Sequence, residues 1–207
     1  MRLFLTSSGF PKSAVNCKRE FLDLVGKPTD QIRVAYVPTA SYVEKNKTFA
    51  EIDRRELIEL GIPEANVVDF ELDHEITCGE LSKFNVIFVD GGNTFYLLQE
   101  IKKSGFDKAI SEYLKKDLGV YVGVSAGTVV AGPDIDFVAD WDDRSQAPEL
   151  KSTTALCLIE IAYSPHYTDS EAEIVEKLRE KYSYPIKKLR DGRAILVNGS
   201  RARKIEN

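Results

Sequence analysis

The chain has 207 residues, 43% hydrophobic, 29% charged and 10% aromatic, which excludes disordered, collagen-like and disulfide-scaffolded proteins and predicts a single α/β domain over residues 1–207. Its 28 Lys and Arg against 33 Asp and Glu give a net charge of −5, with no basic stripe to hold phosphates, so nucleic acid is not an expected partner. The apolar start, Met1 to Thr6, is too short for a signal-peptide core or a bilayer span, which predicts a soluble, cytoplasmic protein with no membrane partner.

In chain order, Leu3–Thr6 reads as a buried strand, Ala14–Val25 as an amphipathic helix, Ile32–Val37 as a strand and Lys47–Leu60 as a helix with Phe49, Ile52, Leu57 and Leu60 at helical spacing. Strands at Val67–Phe70 and Val86–Val89 follow, then helices at Thr94–Lys102 and Phe106–Lys116, and a fifth strand at Val120–Val124. This alternation predicts a three-layer α/β sandwich, a mostly parallel sheet covered by helices on both faces, with chemistry beyond the carboxyl ends of the strands. Asp134 to Leu150 is acidic and reads as a long loop. Near the end, Pro185–Leu189 and Ala194–Val197 flank Asp191-Gly192, a common hairpin dipeptide, and predict a C-terminal antiparallel extension. Cys17, Cys78 and Cys157 are odd in number and lack a Cys-x-x-Cys spacing, which suits free thiols in a reducing compartment. With only two histidines, no metal site is expected.

Three strand ends hold candidate chemistry. Gly123-Val124-Ser125-Ala126-Gly127 matches the Gly-x-Ser-x-Gly elbow, in which small neighbours let a serine sit on a sharp strand-to-helix turn; the Ala126 amide then lies where an oxyanion would form. Asp90-Gly91-Gly92-Asn93-Thr94 ends the fourth strand; Gly92 is placed to supply a second oxyanion N–H, and Asn93 or Thr94 to cap the next helix or meet substrate. A serine nucleophile needs a base. His74 lies in an acidic, surface-like segment, whereas His166 in Ser164-Pro165-His166-Tyr167 follows the apolar run Ala155 to Ile161, where another strand can end. The acid that orients the imidazole is Asp191 if the order is Ser, His, Asp, and Asp140 if it is Ser, Asp, His, with Asp136 a further candidate; spacing does not choose.

Together these motifs, with Ala131-Gly132-Pro133 and Thr168, resemble the aspartyl dipeptidases known as peptidase E, serine peptidases whose fold is related to class I glutamine amidotransferases and is flavodoxin-like; the likeness runs from Phe4 to Val197. The resemblance implies Ser125 as nucleophile, His166 as base, and Gly92 with Ala126 as oxyanion hole. It places the family's acid, a glutamate before glycine, on Asp191, one methylene shorter, while Asp140 matches a second aspartate that the family requires. Members that cut after aspartate carry an arginine in a Gly-Glu-Thr-Arg-like segment; the matching stretch here, Asp169 to Ile174, has none. That departure argues against aspartyl preference, with Arg144 as a replacement clamp. The acidic loop, if it borders the site, repels acidic side chains and attracts a free α-amino group.

The resulting expectation is a cofactor-free serine peptidase acting on small peptide substrates as a monomer or homodimer. The alternatives are an esterase or amidase with the same triad, a glutaminase-like transferase subunit, which ordinarily uses cysteine, and a non-catalytic ligand-binding module.

Overall fold

Along the central strands the side chains alternate between two apolar clusters, one on each face of a sheet. In β1 (Arg2–Thr6), Leu3 and Leu5 enter one cluster and Phe4 the other; in β2 (Val34–Val37), Ala35 and Val37 oppose Val34 and Tyr36. The same division holds in β4 (Val86–Val89) and β5 (Val120–Val124), as the two-residue period of a strand requires. Both faces must therefore be covered. The helices α1 (Val15–Val25) and α2 (Thr48–Glu59) cover the face of Phe4 with Phe21 and Leu57. On the other face lie α3 (Cys78–Leu81), α4 (Thr94–Ser104), α5 (Phe106–Lys115) and the single turn α6 (Ala126–Val129), contributing Leu81, Leu98, Ile110 and Val129. The three cysteines are free thiols.

In this computed structural model, which describes residues 1–206, seven strands form the main sheet in the order β3-β2-β4-β5-β1-β8-β9, with β3 at Val67–Asp69, β8 at Ala194–Asn198 and β9 at Arg201–Ile205. The first five in that order run parallel, and β8 joins β1 antiparallel, pairing Leu3 with Val197 and Leu5 with Ile195. The expected sandwich and its antiparallel extension are both present. No helix among the described residues is long and apolar enough to cross a membrane.

The expected hairpin about Asp191-Gly192 is not formed. The turn exists, since Arg193 N–H donates to the Arg190 carbonyl at 3.2 Å and Gly192 has φ +72°. Its two arms diverge, however: β7 (Ile186–Lys188) pairs in parallel with β6 (Ala162–Ser164) in a separate two-stranded sheet, and β8 goes to β1. The antiparallel partner of β8 is β9, joined through Gly199-Ser200, with Gly199 at φ +60° as a two-residue hairpin loop requires. Four of the five β9 residues are exposed, so hydrophobic periodicity does not reveal it. The apolar run Ala155–Ile161 precedes β6 and packs irregularly along Val130 to Pro133, with Leu156 N–H on the Val130 carbonyl at 2.9 Å. A further helix, α7 (Ala172–Lys181), buries only Val175 and Leu178 and gives correspondingly little periodic signal.

The crossing of β5 and α6 leaves no room for side chains at the elbow glycines. A Cβ on Gly127 would lie 2.0 Å from the Val89 carbonyl oxygen, and one on Gly123 would lie 2.4 Å from that of Gly127. Gly105, at φ +70°, has nothing within 4 Å. Gly105→Ala is therefore expected to cost about 1–2 kcal/mol from backbone conformation alone. Gly127→Ala should cost more, because the backbone of β4 must move. Urea unfolding of the two variants checks this order.

Candidate active site

The carboxyl ends of β4, β5 and β1, neighbours in the sheet, converge on Ser125. The serine holds φ +47° and ψ −107°, outside the ordinary regions for a side-chain-bearing residue, a conformation costing roughly 1–3 kcal/mol. Its surroundings hold it there. Ser125 N–H donates to the Thr6 carbonyl at 3.1 Å, extending the β1–β5 ladder. The Thr128 hydroxyl lies 2.7 Å from the Thr6 carbonyl and 2.8 Å from that of Gly123, and the Tyr121 hydroxyl donates to the Gly127 carbonyl at 2.7 Å.

From Ser125 a chain of hydrogen bonds runs outward. His166 Nε2 is 3.0 Å from Ser125 Oγ, and His166 Nδ1 is 2.9 Å from Asp191 Oδ1. The Ser7 hydroxyl, just past β1, donates to Asp191 Oδ1 at 2.6 Å and accepts the His166 backbone N–H at 2.7 Å. His166 also has a positive φ, +55°, so Ser125 and His166 both stand on unusual backbone. The hydrogen bond from His166, reinforced by Ser7, holds the Asp191 carboxyl below the usual carboxylate range. Asp191 thus stays ionised and able to orient the ring.

Opposite Ser125, Gly92 has φ +129°, and a Cβ there would strike the Ala40 carbonyl oxygen at 2.3 Å. Asn93 N–H donates to that same carbonyl at 2.9 Å, pinning the turn. Among the described residues the Gly92 and Ala126 N–H groups have no backbone acceptor, which leaves both available to an oxyanion. The helix after Ser125 is one turn long, so any such role rests on the individual N–H rather than on a helix dipole.

Among the acids weighed from the sequence, Asp191 is at the imidazole; Asp140 is exposed on the loop after α6, and Asp136 bonds Arg144 and Tyr182 at 3.1 and 2.8 Å. Arg144 lines neither cavity beside Ser125, because its guanidinium is on Asp136 and over the Phe95 ring. Both ends of the Asn93 amide are used structurally: Oδ1 caps Tyr96 N–H at 2.9 Å and Nδ2 donates to the Asp143 carbonyl at 3.0 Å. Thr94 does line the cavity, and its N–H donates to Asp142 Oδ2 at 2.8 Å. His74 is half exposed on the surface, bonded to Asp73 and Glu80. Sequence reasoning missed Ser7, whose only sign is its place at a strand end, and the contribution of Glu171 to the cavity wall.

Residues 3–205 match the family described as Peptidase family S51. An uncharacterized peptidase of Pasteurella multocida is 36% identical over 183 residues, covering 86% of each chain. Peptidase E of Streptomyces coelicolor is 29% identical over 182 residues, covering 82% of this chain and 70% of its own. A crystal structure from Listeria monocytogenes, provisionally named a peptidase E protein, superimposes with a TM-score of 0.83 at 32% identity, covering 100% of this chain and 98% of that one.

Directly behind the Gly91-Gly92 turn lies a buried acid pair. Asp90 is fully buried, accepts Gly91 N–H at 2.8 Å through Oδ1, and meets Asp53 and the Tyr36 hydroxyl. That hydroxyl also lies 2.6 Å from the Ala50 carbonyl, so one phenolic proton faces two oxygens and the acid pair must hold another. Burial, then the charge of Asp90, pushes Asp53 up to about 9. An unfolded aspartate titrates near ~3.9. The folded state therefore binds this proton more tightly, and its stabilisation is complete below that range and lost as pH rises to about 9. Asp53→Asn, which keeps a hydrogen-bond donor but cannot ionise, should gain on the wild type in melting temperature as pH rises from about 5 to about 9. Parallel melts across that range check it.

Proposed function

Since the chain belongs to peptidase family S51, we propose that it is a serine-type peptidase of short peptides, with Ser125 as nucleophile, His166 as general base and Asp191 as the orienting acid. The observation that carries the reading is the unbroken chain of hydrogen bonds from Ser125 through His166 to Asp191, at 3.0 and 2.9 Å. These are distances at which a proton can pass from Oγ to Nε2 while Nδ1–H stays on the carboxylate.

In this mechanism His166 takes the Ser125 proton as Oγ attacks the scissile carbonyl carbon. The carbonyl oxygen gains the negative charge and meets the Gly92 and Ala126 N–H groups. Collapse of the tetrahedral intermediate breaks the C–N bond, and His166 passes its proton to the departing amine. Water then enters, gives a proton to His166 and releases the acyl group, restoring Ser125. Asp191 keeps its charge throughout and stabilises the imidazolium. Ser7 acts through Asp191 and the His166 backbone as a positioning residue.

Ser125→Ala should lower kcat/KM by about 10⁴-fold or more with an unchanged melting curve, because the elbow accommodates a smaller side chain. Labelling by a fluorophosphonate should occur at Ser125 and vanish in that variant. Asp191→Asn, which favours the wrong imidazole tautomer, should lower kcat by about 10³–10⁴-fold with little change in KM.

A further inference from the structure

Two cavities flank Ser125, and their charge is one-sided. The smaller, about 110 Å³, is walled by Val129, Trp141, Asp142 and Glu171 beside Ser125 and His166. The larger, about 420 Å³, carries Glu44 on the far side of the serine, with Asp53 beside it held in its protonated, uncharged form. No lysine or arginine lines either one. Arg144 and Arg190 are paired with Asp136 and Asp169.

Asp142 and Glu171 are each tied to a neutral threonine rather than to a cation. Asp142 Oδ2 accepts Thr94 N–H at 2.8 Å, and Glu171 Oε2 accepts Thr168 N–H at 2.8 Å. Among the described residues neither carboxylate forms an ion pair with a lysine or arginine within 4.0 Å; their partners are Thr94 and Thr168. A half-buried carboxylate without a counter-ion is costly, and a ligand that brings the counter-ion removes the cost. Burial indeed holds the Asp142 carboxyl above its ordinary range, against the opposing pull of Thr94 and His166.

Building on the assignment of Ser125 as nucleophile, we infer that the smaller cavity receives a cation carried on the acyl side of the substrate, held by Asp142 and Glu171, and that carboxylates are rejected there. The cation is an alkylammonium or guanidinium, supplied by a free α-amino group or by a basic side chain. A volume of about 110 Å³ is below that of a cavity that holds benzene, roughly 150 Å³, so an α-ammonium next to the scissile carbonyl fits without further room. Beyond Asp142 lies an outer cavity of about 410 Å³, lined by Glu44 and Asp143 but also by Lys45, so the charge is one-sided only in the inner cavities.

The test is protection of the full-length protein from fluorophosphonate labelling at Ser125 by alaninamide, N-acetylalaninamide, N-acetyllysinamide and N-acetylaspartamide. Cation-bearing ligands should protect at concentrations about tenfold or more below N-acetylalaninamide, with N-acetylaspartamide the weakest. Protection by alaninamide alone identifies the α-ammonium as the source, and protection by N-acetyllysinamide alone the side chain. Asp142→Asn, which retains the acceptor for Thr94 N–H, should erase most of the preference, and Glu171→Gln part of it. Should Asp142→Asn fail to melt cooperatively, Glu171→Gln decides alone. Equal protection by the aspartyl ligand, or full preference retained in the folded variants, overturns the inference while labelling still upholds the nucleophile. Absence of labelling in the wild type overturns both.

Discussion

Everything at the site depends on one constrained piece of backbone, the turn at Ser125. A serine at φ +47° is unfavourable in isolation, and it persists because the turn is fixed from three sides. Gly123 and Gly127 let β5, α6 and β4 approach to distances that no side chain would permit, and Thr128 ties the helix start to β1 as well as β5. Strain at the elbow is thus offset by hydrogen bonds and packing in the sheet centre, where the backbone is least free to relax.

The imidazole is fixed by a different kind of restraint. Ser7 leaves β1, Asp191 sits on the turn before β8, and β1 and β8 are hydrogen-bonded neighbours. Pairing these two strands brings Ser7 and Asp191 together, and both then engage His166, one through its backbone and one through its ring. The antiparallel addition to the sheet is accordingly part of what orients the His166 ring.

Much of this was legible in the sequence. The buried strands and the long helices announce themselves because burial on both faces demands continuous apolar runs, and one-sided burial demands helical spacing. Ser125 was legible from its glycines, and His166 because only two histidines exist. The carboxylate that meets His166 was not, since Asp191, Asp140 and Asp136 differ only in where the chain carries them. Asp191-Gly192 is a turn, as its residue types suggest, but local turn chemistry does not say which strands its arms will join. The partnership of Asp53 with Asp90 was equally hidden: a carboxylate on α2 and another after β4 look like surface charges until the helix packs against the strand end.

The two margins of the sheet differ in a way that bears on self-association. At one margin β3 offers just three residues, Val67–Asp69, and at the other β9 displays Arg201, Arg203 and Lys204. Strand-by-strand polymerisation needs a long, flat, uncharged rim to template the next molecule. A short rim gives too few main-chain bonds, and a rim crowded with ion-paired charges, Arg203 with Glu20 and Lys204 with Glu206, obstructs a docking strand, so both margins resist fibre growth.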